Sequence, residues 1–95
     1  MTSQIDLTKL TFIGSKLHRP ECVQTHPDGS VHVADWRGGV TVIKPDGRQT
    51  TILANTEFKP KTNGLALQAD GSWLVTHLGD AEGGVFRLAR DGNLT

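Results

Sequence analysis

Apolar and polar positions in this chain change over every few residues, and the apolar runs are short. Reading from residue 21, ECVQTH, SVHVAD, GVTVIK and RQTTIL follow one another. Each is bounded by glycine, proline or aspartate. A second series follows from residue 64: GLALQA, SWLVTH, GVFRLA and a closing stub, NLT. Runs of this length, rich in β-branched residues and bounded by turn formers, predict strands. A helical repeat of apolar positions is not sustained anywhere, and LTKLTFIG near the start reads as one further strand. Four Asp-Gly dipeptides, at 28–29, 46–47, 70–71 and 91–92, separate strand-like runs. They predict tight hairpins, with type I′ turns as the expected geometry. The class is therefore all-β, built from antiparallel meanders.

The two series are copies of each other. Asp28-Gly29 recurs at Asp70-Gly71, an offset of 70 − 28 = 42. Gly38-Gly39-Val40 recurs at Gly83-Gly84-Val85, an offset of 83 − 38 = 45, with the difference taken up around Asp80-Ala81-Glu82, an expected solvated loop. Carried backwards, the first offset places Glu21 on Asn63. A four-stranded antiparallel unit recurring at this period is the pattern of a β-propeller blade. The expected organisation is an N-terminal strand segment over 1–16, a first blade over 17–54 and an incomplete second blade over 58–95. Blades covered on both faces account for strands apolar on both sides, such as GLALQA and GVFRLA. A small β-sandwich or partial barrel is the competing architecture, although neither requires a sequence repeat. A propeller ring needs about four to eight blades. Two blades imply either a piece of a longer propeller, which the ending in mid-blade favours, or a subunit of a homo-oligomeric ring.

Composition narrows the function classes. Ten basic and ten acidic residues leave no net charge, so nothing draws the chain electrostatically to nucleic acid or an anionic membrane surface. No basic leader with an apolar core is visible at the N-terminus. Nor does any apolar run approach the roughly 18 residues of a membrane span. Cys22 has no cysteine to pair with, which fits a reducing compartment. A soluble cytoplasmic protein is the expectation.

RPECV, DGSVHVADWRGGVTVIKPDG and NGLALQADGSWLVTHLGDAEGGVFRLARDG together resemble the opening blades of the gluconolactonase-like family, which includes senescence marker protein and luciferin-regenerating enzyme. The likeness runs over residues 17–95. It implies a six-bladed propeller with one divalent metal in its central channel and, in many members, hydrolysis of lactones. The family's metal-binding glutamate follows a proline in the first blade, and Pro20-Glu21 matches it. The implied cofactor is a divalent ion, calcium first, with magnesium, manganese or zinc as alternatives. The implied ligand is a small lactone or sugar acid. The remaining ligands and the catalytic aspartate of the family have no counterpart here. Asn63 lies in an Asn-Gly pair similar to that of the family's ligand asparagine, but one blade after Glu21, so it is expected to face the channel as a polar or substrate contact.

The other chemistry-bearing residues have plainer readings. Carboxylate and carboxamide oxygens converging at strand starts suit hard cations. The histidines, His18, His26, His32 and His77, show no paired zinc spacing. His26 reads as a surface residue, and His77, at the place of Asp35, as a hydrogen-bonding residue ending a strand. Trp36-Arg37 reads as a Trp packed between blades with Arg at the rim, or as a sugar-stacking pair. Trp73 reads as core, Cys22 as a small buried residue, and the Asp-Gly aspartates as turn formers.

Overall fold

The computed structural model describes residues 6–79 and 83–95. Asp80-Ala81-Glu82, the expected inserted loop, lies outside them. Two antiparallel sheets make up the fold. The first takes β1 (Val23–Thr25), β2 (Val31–Asp35), β3 (Gly39–Ile43) and β4 (Gln49–Leu53) in chain order. The second takes β5 (Thr62–Leu67), β6 (Trp73–His77) and β7 (Gly84–Leu88) in the same order. The fourth run of the second copy is present as a stub: Leu94 bridges Leu88, and Thr95 and Arg87 exchange two backbone hydrogen bonds of 2.8 and 3.0 Å.

The registers repeat as the sequence offsets require. Val31 pairs with Ile43 and Asp35 with Gly39 in the first sheet; Trp73 pairs with Leu88 and His77 with Gly84 in the second. The turns also repeat, but not as type I′. At Asp28-Gly29 the Gly29 N–H donates to His26 O (2.9 Å) and the His26 N–H to Ser30 O (3.0 Å). Gly29 takes φ +85°, whereas Asp28 is not left-handed. This is a type I turn closed by a left-handed glycine, the three-residue hairpin with a bulge. The Asp28 carboxylate explains the choice, because it accepts from the Ser30 N–H at 2.8 Å and so caps the turn from its own side chain. Asp46, Asp70 and Asp91 cap Arg48, Ser72 and Asn93 in the same way, each at 2.9 Å.

The sheets pack face to face. His32, Ala34, Val40 and Val42 point from the first sheet towards Trp73, Val75 and Leu88 of the second, and all of these are buried. The hydrogen bond from Trp73 Nε1 to His32 Nδ1 (2.9 Å) crosses the interface. The opposite face of the first sheet is covered by residues 13–20. Here Gly14 lies so close to Ile43 and Leu17 that a Cβ would collide with both side chains. Ser15 is tied to Gln49 through its N–H (3.2 Å) and its carbonyl (2.7 Å). Between this strap and the sheet runs an open apolar groove of about 290 Å³, lined by Leu17, Pro20, Val23, Val33 and Ile43 among others.

Two further expectations need correction. LTKLTFIG forms no strand: Leu7–Lys9 is a single 3₁₀ turn capped by Asp6, and the residues after it run as irregular chain. Among the described residues no neighbouring strand offers it a ladder; its backbone bonding is confined to the turn, where the Lys9 N–H donates to Asp6 O and the Leu10 N–H to Leu7 O, and Phe12 is 95% exposed. Burial on both faces holds for β2 and β3 but not for β7, which alternates, leaving Val85 65% exposed and β6 Leu74 partly exposed. The outer face of the second sheet has no cover among the described residues.

Candidate site at the inner strand ends

β1 and β5 are the first strands of their sheets, and β5 packs against β2 and, to a lesser extent, β1. The chain enters β1 and β5 from the same end, where β2 runs into β3 through Trp36–Gly38 and where the segment joining β4 to β5 arrives. Glu21 and Asn63 therefore occupy equivalent positions in the repeat, but their local structure differs.

Glu21 precedes β1 in a tight turn about Pro20, its N–H donating to Arg19 O at 2.8 Å. That turn folds the flanking side chains together, and Arg19 Nη2 lies 2.9 Å from Glu21 Oε1. Both side chains are about half exposed. The Arg19 guanidinium also sits over the Trp36 ring, 4.0 Å from its centre, with Lys61 Nζ at 5.4 Å. Asn63 lies within β5, so Asn63-Gly64 is a strand element and not a turn. The register slips between Thr62 and Leu65, forming a bulge in which the Gly64 N–H donates to Thr76 Oγ1 at 2.7 Å. A Cβ on residue 64 would stand 3.0 Å from that hydroxyl, which favours glycine here. Bulges re-aim the side chains beside them. The Asn63 Oδ1 is buried and has no hydrogen-bond partner among the described residues, and neither do Thr62 Oγ1 and Trp36 Nε1.

Neighbouring residues hold this end together. Asp35 is fully buried and accepts from Arg37 Nε (2.9 Å), Arg37 Nη2 (2.7 Å) and the Arg37 N–H (2.9 Å). Burial pushes the Asp35 carboxyl up, but the hydrogen bonds from Arg37 outweigh it and hold the group below its ordinary range. Arg37 is thus committed to Asp35, while Trp36 is half-buried beneath Arg19, an arrangement nearer to packing than to an open stacking surface. His77 Nδ1 accepts from the Lys61 N–H at 2.9 Å, the strand-ending role expected of it. Cys22 is half-buried against the core, and Trp73 is fully buried.

A second polar cluster, not singled out from the sequence, lies at the opposite end. His32 is buried, with Trp73 on Nδ1 and Ser30 Oγ 3.2 Å from Nε2. His26 packs against it with the rings tilted and their centres 4.1 Å apart, so it is half-buried and not a surface residue as expected. Burial, with a smaller push from His26, lowers the His32 pKa to about 4. Strand alternation along SVHVAD, which sets His32 on the same face as Ala34, is the signal that could have found it.

Among the described residues no three His, Cys, Asp or Glu side chains gather as a metal-binding group. No helix there is long and apolar enough to cross a membrane. A scan against protein-family models and a search of curated proteins return no match.

Proposed function

We propose that this chain is a two-blade portion of a β-propeller of the gluconolactonase-like kind, in which Glu21 contributes a carboxylate to a divalent-cation site at the mouth of the channel. Calcium is the first choice, and a small lactone or sugar acid is the ligand class. The observation that carries this reading is the repeated meander. Register, turn chemistry and sheet order recur from one sheet to the next, β5 packs against β2 and β1, and Glu21 and Asn63 occupy matching places at the ends of the inner strands.

The donor chemistry fits such an ion in kind. Glu21 offers a half-exposed carboxylate, a hard ligand, and Asn63 has an amide oxygen without a partner among the described residues that suits a polar ligand. Calcium takes about six to eight oxygens, so the rest of the shell falls to other blades and to water. A cation held there supplies Lewis-acid polarisation of a lactone carbonyl. What this chain's own residues do is narrower: Glu21 neutralises positive charge, and Asn63 presents an amide to a polar ligand. Lactone hydrolysis by this chain alone is accordingly expected to be negligible.

Calorimetric titration of the protein with Ca²⁺ tests the assignment. Binding that Glu21→Gln weakens at least tenfold supports it, whereas binding that survives the substitution removes Glu21 from the site.

A second reading has its own support. The face of the first sheet that receives its neighbour carries His32, Ala34, Val40 and Val42; the repeat offsets map these onto Leu74, Thr76, Val85 and Arg87. That is the uncovered outer face of the second sheet. The interface is head-to-tail, so further copies would extend it, and three two-blade chains would complete a six-bladed ligand-binding ring. A trimeric mass in solution supports this arrangement. A non-catalytic scaffold propeller, in which Glu21 serves only Arg19, is the outcome if no cation binds.

A further inference from the structure

We propose that Arg19 is a built-in competitor for the Glu21 carboxylate, its guanidinium holding the place a divalent cation must take, with Trp36 as the platform that keeps it there. The inference rests on the reading of Glu21 as a cation ligand and adds a control on that site.

The geometry begins with the backbone. Arg19 has φ +49°, a left-handed conformation that side-chain-bearing residues seldom adopt. The following Pro20 disfavours the right-handed helical region for residue 19. The Glu21 N–H donating to Arg19 O closes the three-residue turn at 2.8 Å. That turn carries the two side chains round to the same side of Pro20, so the Arg19–Glu21 contact of 2.9 Å is a consequence of local backbone structure. The face of the guanidinium is held as well, its central carbon 4.0 Å from the centre of the Trp36 ring. Arginine suits both contacts, because one planar cation can hydrogen-bond a carboxylate along its edge and stack through its face.

The pair is held but not locked. The side chains of Arg19 and Glu21 are 56% and 42% exposed, so water screens their attraction and either can swing away. A dication arriving at Glu21 meets a positive charge already at the carboxylate oxygen and must displace it. Lys61, 5.4 Å from the same ring, adds to the positive field there. Removing the Arg19 charge therefore favours the dication. An exposed ion pair and one cation–π contact together set the expected gain at about three- to tenfold in affinity.

The test is a Ca²⁺ titration of the full chain by calorimetry, with tryptophan emission recorded in parallel. Arg19→Gln is expected to bind Ca²⁺ about three- to tenfold more tightly than the unaltered protein. Arg19→Lys keeps the charge but not the planar stack on Trp36 and is expected to gain less than Arg19→Gln, which separates loss of charge from loss of the stack. Ca²⁺ should shift the emission of the unaltered protein as the guanidinium leaves Trp36. That shift should be absent from Arg19→Gln, although it binds more tightly, and from Trp36→Phe, which identifies the reporter. Unchanged or weaker binding by Arg19→Gln, in a protein whose binding Glu21→Gln abolishes, overturns Arg19 as a competitor and leaves Glu21 as a ligand. Absence of Ca²⁺ binding from both the unaltered protein and Arg19→Gln overturns the ligand reading and this inference together.

Discussion

Lowering the pH from 7 to 5 should strip this protein of a defined part of its stability through one residue, His32. Trp73 can only donate from Nε1, so the Nδ1 it meets at 2.9 Å must be unprotonated. The proton then sits on Nε2, which donates to Ser30 Oγ at 3.2 Å, and the Ser30 hydroxyl in turn donates to Asp28 at 2.6 Å. Protonating His32 would set an N–H against the indole N–H at the centre of the sheet interface. Burial is the main reason that the folded pKa falls to about 4 from an ordinary 6.5. The positive groups facing it, His26 and Arg90, act in the same direction, and Asp28 acts against them. The sign follows from linkage. Above pH 6.5 neither state is protonated and nothing is lost. Below it the unfolded chain takes up the proton and the folded one does not, so stability falls until the pH reaches about 4. At pH 5 the loss is about 2 kcal/mol, and it approaches about 3 kcal/mol near pH 4. Urea unfolding followed by tryptophan fluorescence at pH 7, 6 and 5 measures it. His32→Gln keeps an acceptor for Trp73 but cannot titrate, so its stability should fall about 2 kcal/mol less over that interval. Equal pH dependence in the two proteins would refute the reasoning.

Other perturbations act on the backbone and on the buried Asp35. Gly39→Ala places a Cβ against the Ile52 carbonyl in the β3–β4 ladder and should cost about 4 kcal/mol or more by urea denaturation. Gly47→Ala meets nothing but keeps φ +90°, so it should cost only about 1–2 kcal/mol. Arg37→Ala leaves the fully buried Asp35 carboxylate without its two guanidinium donors, the backbone N–H of residue 37 remaining, and should cost about 2–3 kcal/mol at neutral pH. Because Arg37 holds that carboxyl below its ordinary value, its contribution is complete above about pH 4 and fades as the pH falls further. Arg37→Ala should therefore show a shallower acid loss than the unaltered protein in parallel melts. The Glu21→Gln and Arg19→Gln titrations examine the cation site itself.

On the uncovered face of the second sheet, Val85 and Leu74 present apolar surface where the matching positions of the first sheet are buried. Apolar area left in water forgoes the main favourable term in folding and invites association. Occupation of that face by a further sheet would recover it, which links the stability of the chain to whatever lies against it.

Strand placement was legible in the sequence because it rests on local chemistry. Short apolar runs between Asp-Gly pairs located all seven strands to within two residues, and the offsets of 42 and 45 carried the register from one sheet to the other. LTKLTFIG misled for a complementary reason: strand-like composition makes no strand without a partner edge. The turn type also escaped the sequence. Asp-Gly fits both a type I′ turn and a type I turn with a left-handed glycine, and the aspartate's own hydrogen bond to the residue after glycine decided between them. The site divides in the same way. Matching sequence positions singled out Glu21 and Asn63. Only the folded chain showed that Glu21 is held by Arg19 and that Asn63 rides on a bulge with its amide oxygen unpaired. The His32–Trp73 contact spans residues far apart in sequence and depends on how one sheet settles on the other. Local hydrogen bonding and periodicity are written along the chain, whereas contacts between sheets depend on side-chain volume and charge converging from distant segments, so those were decided by tertiary packing.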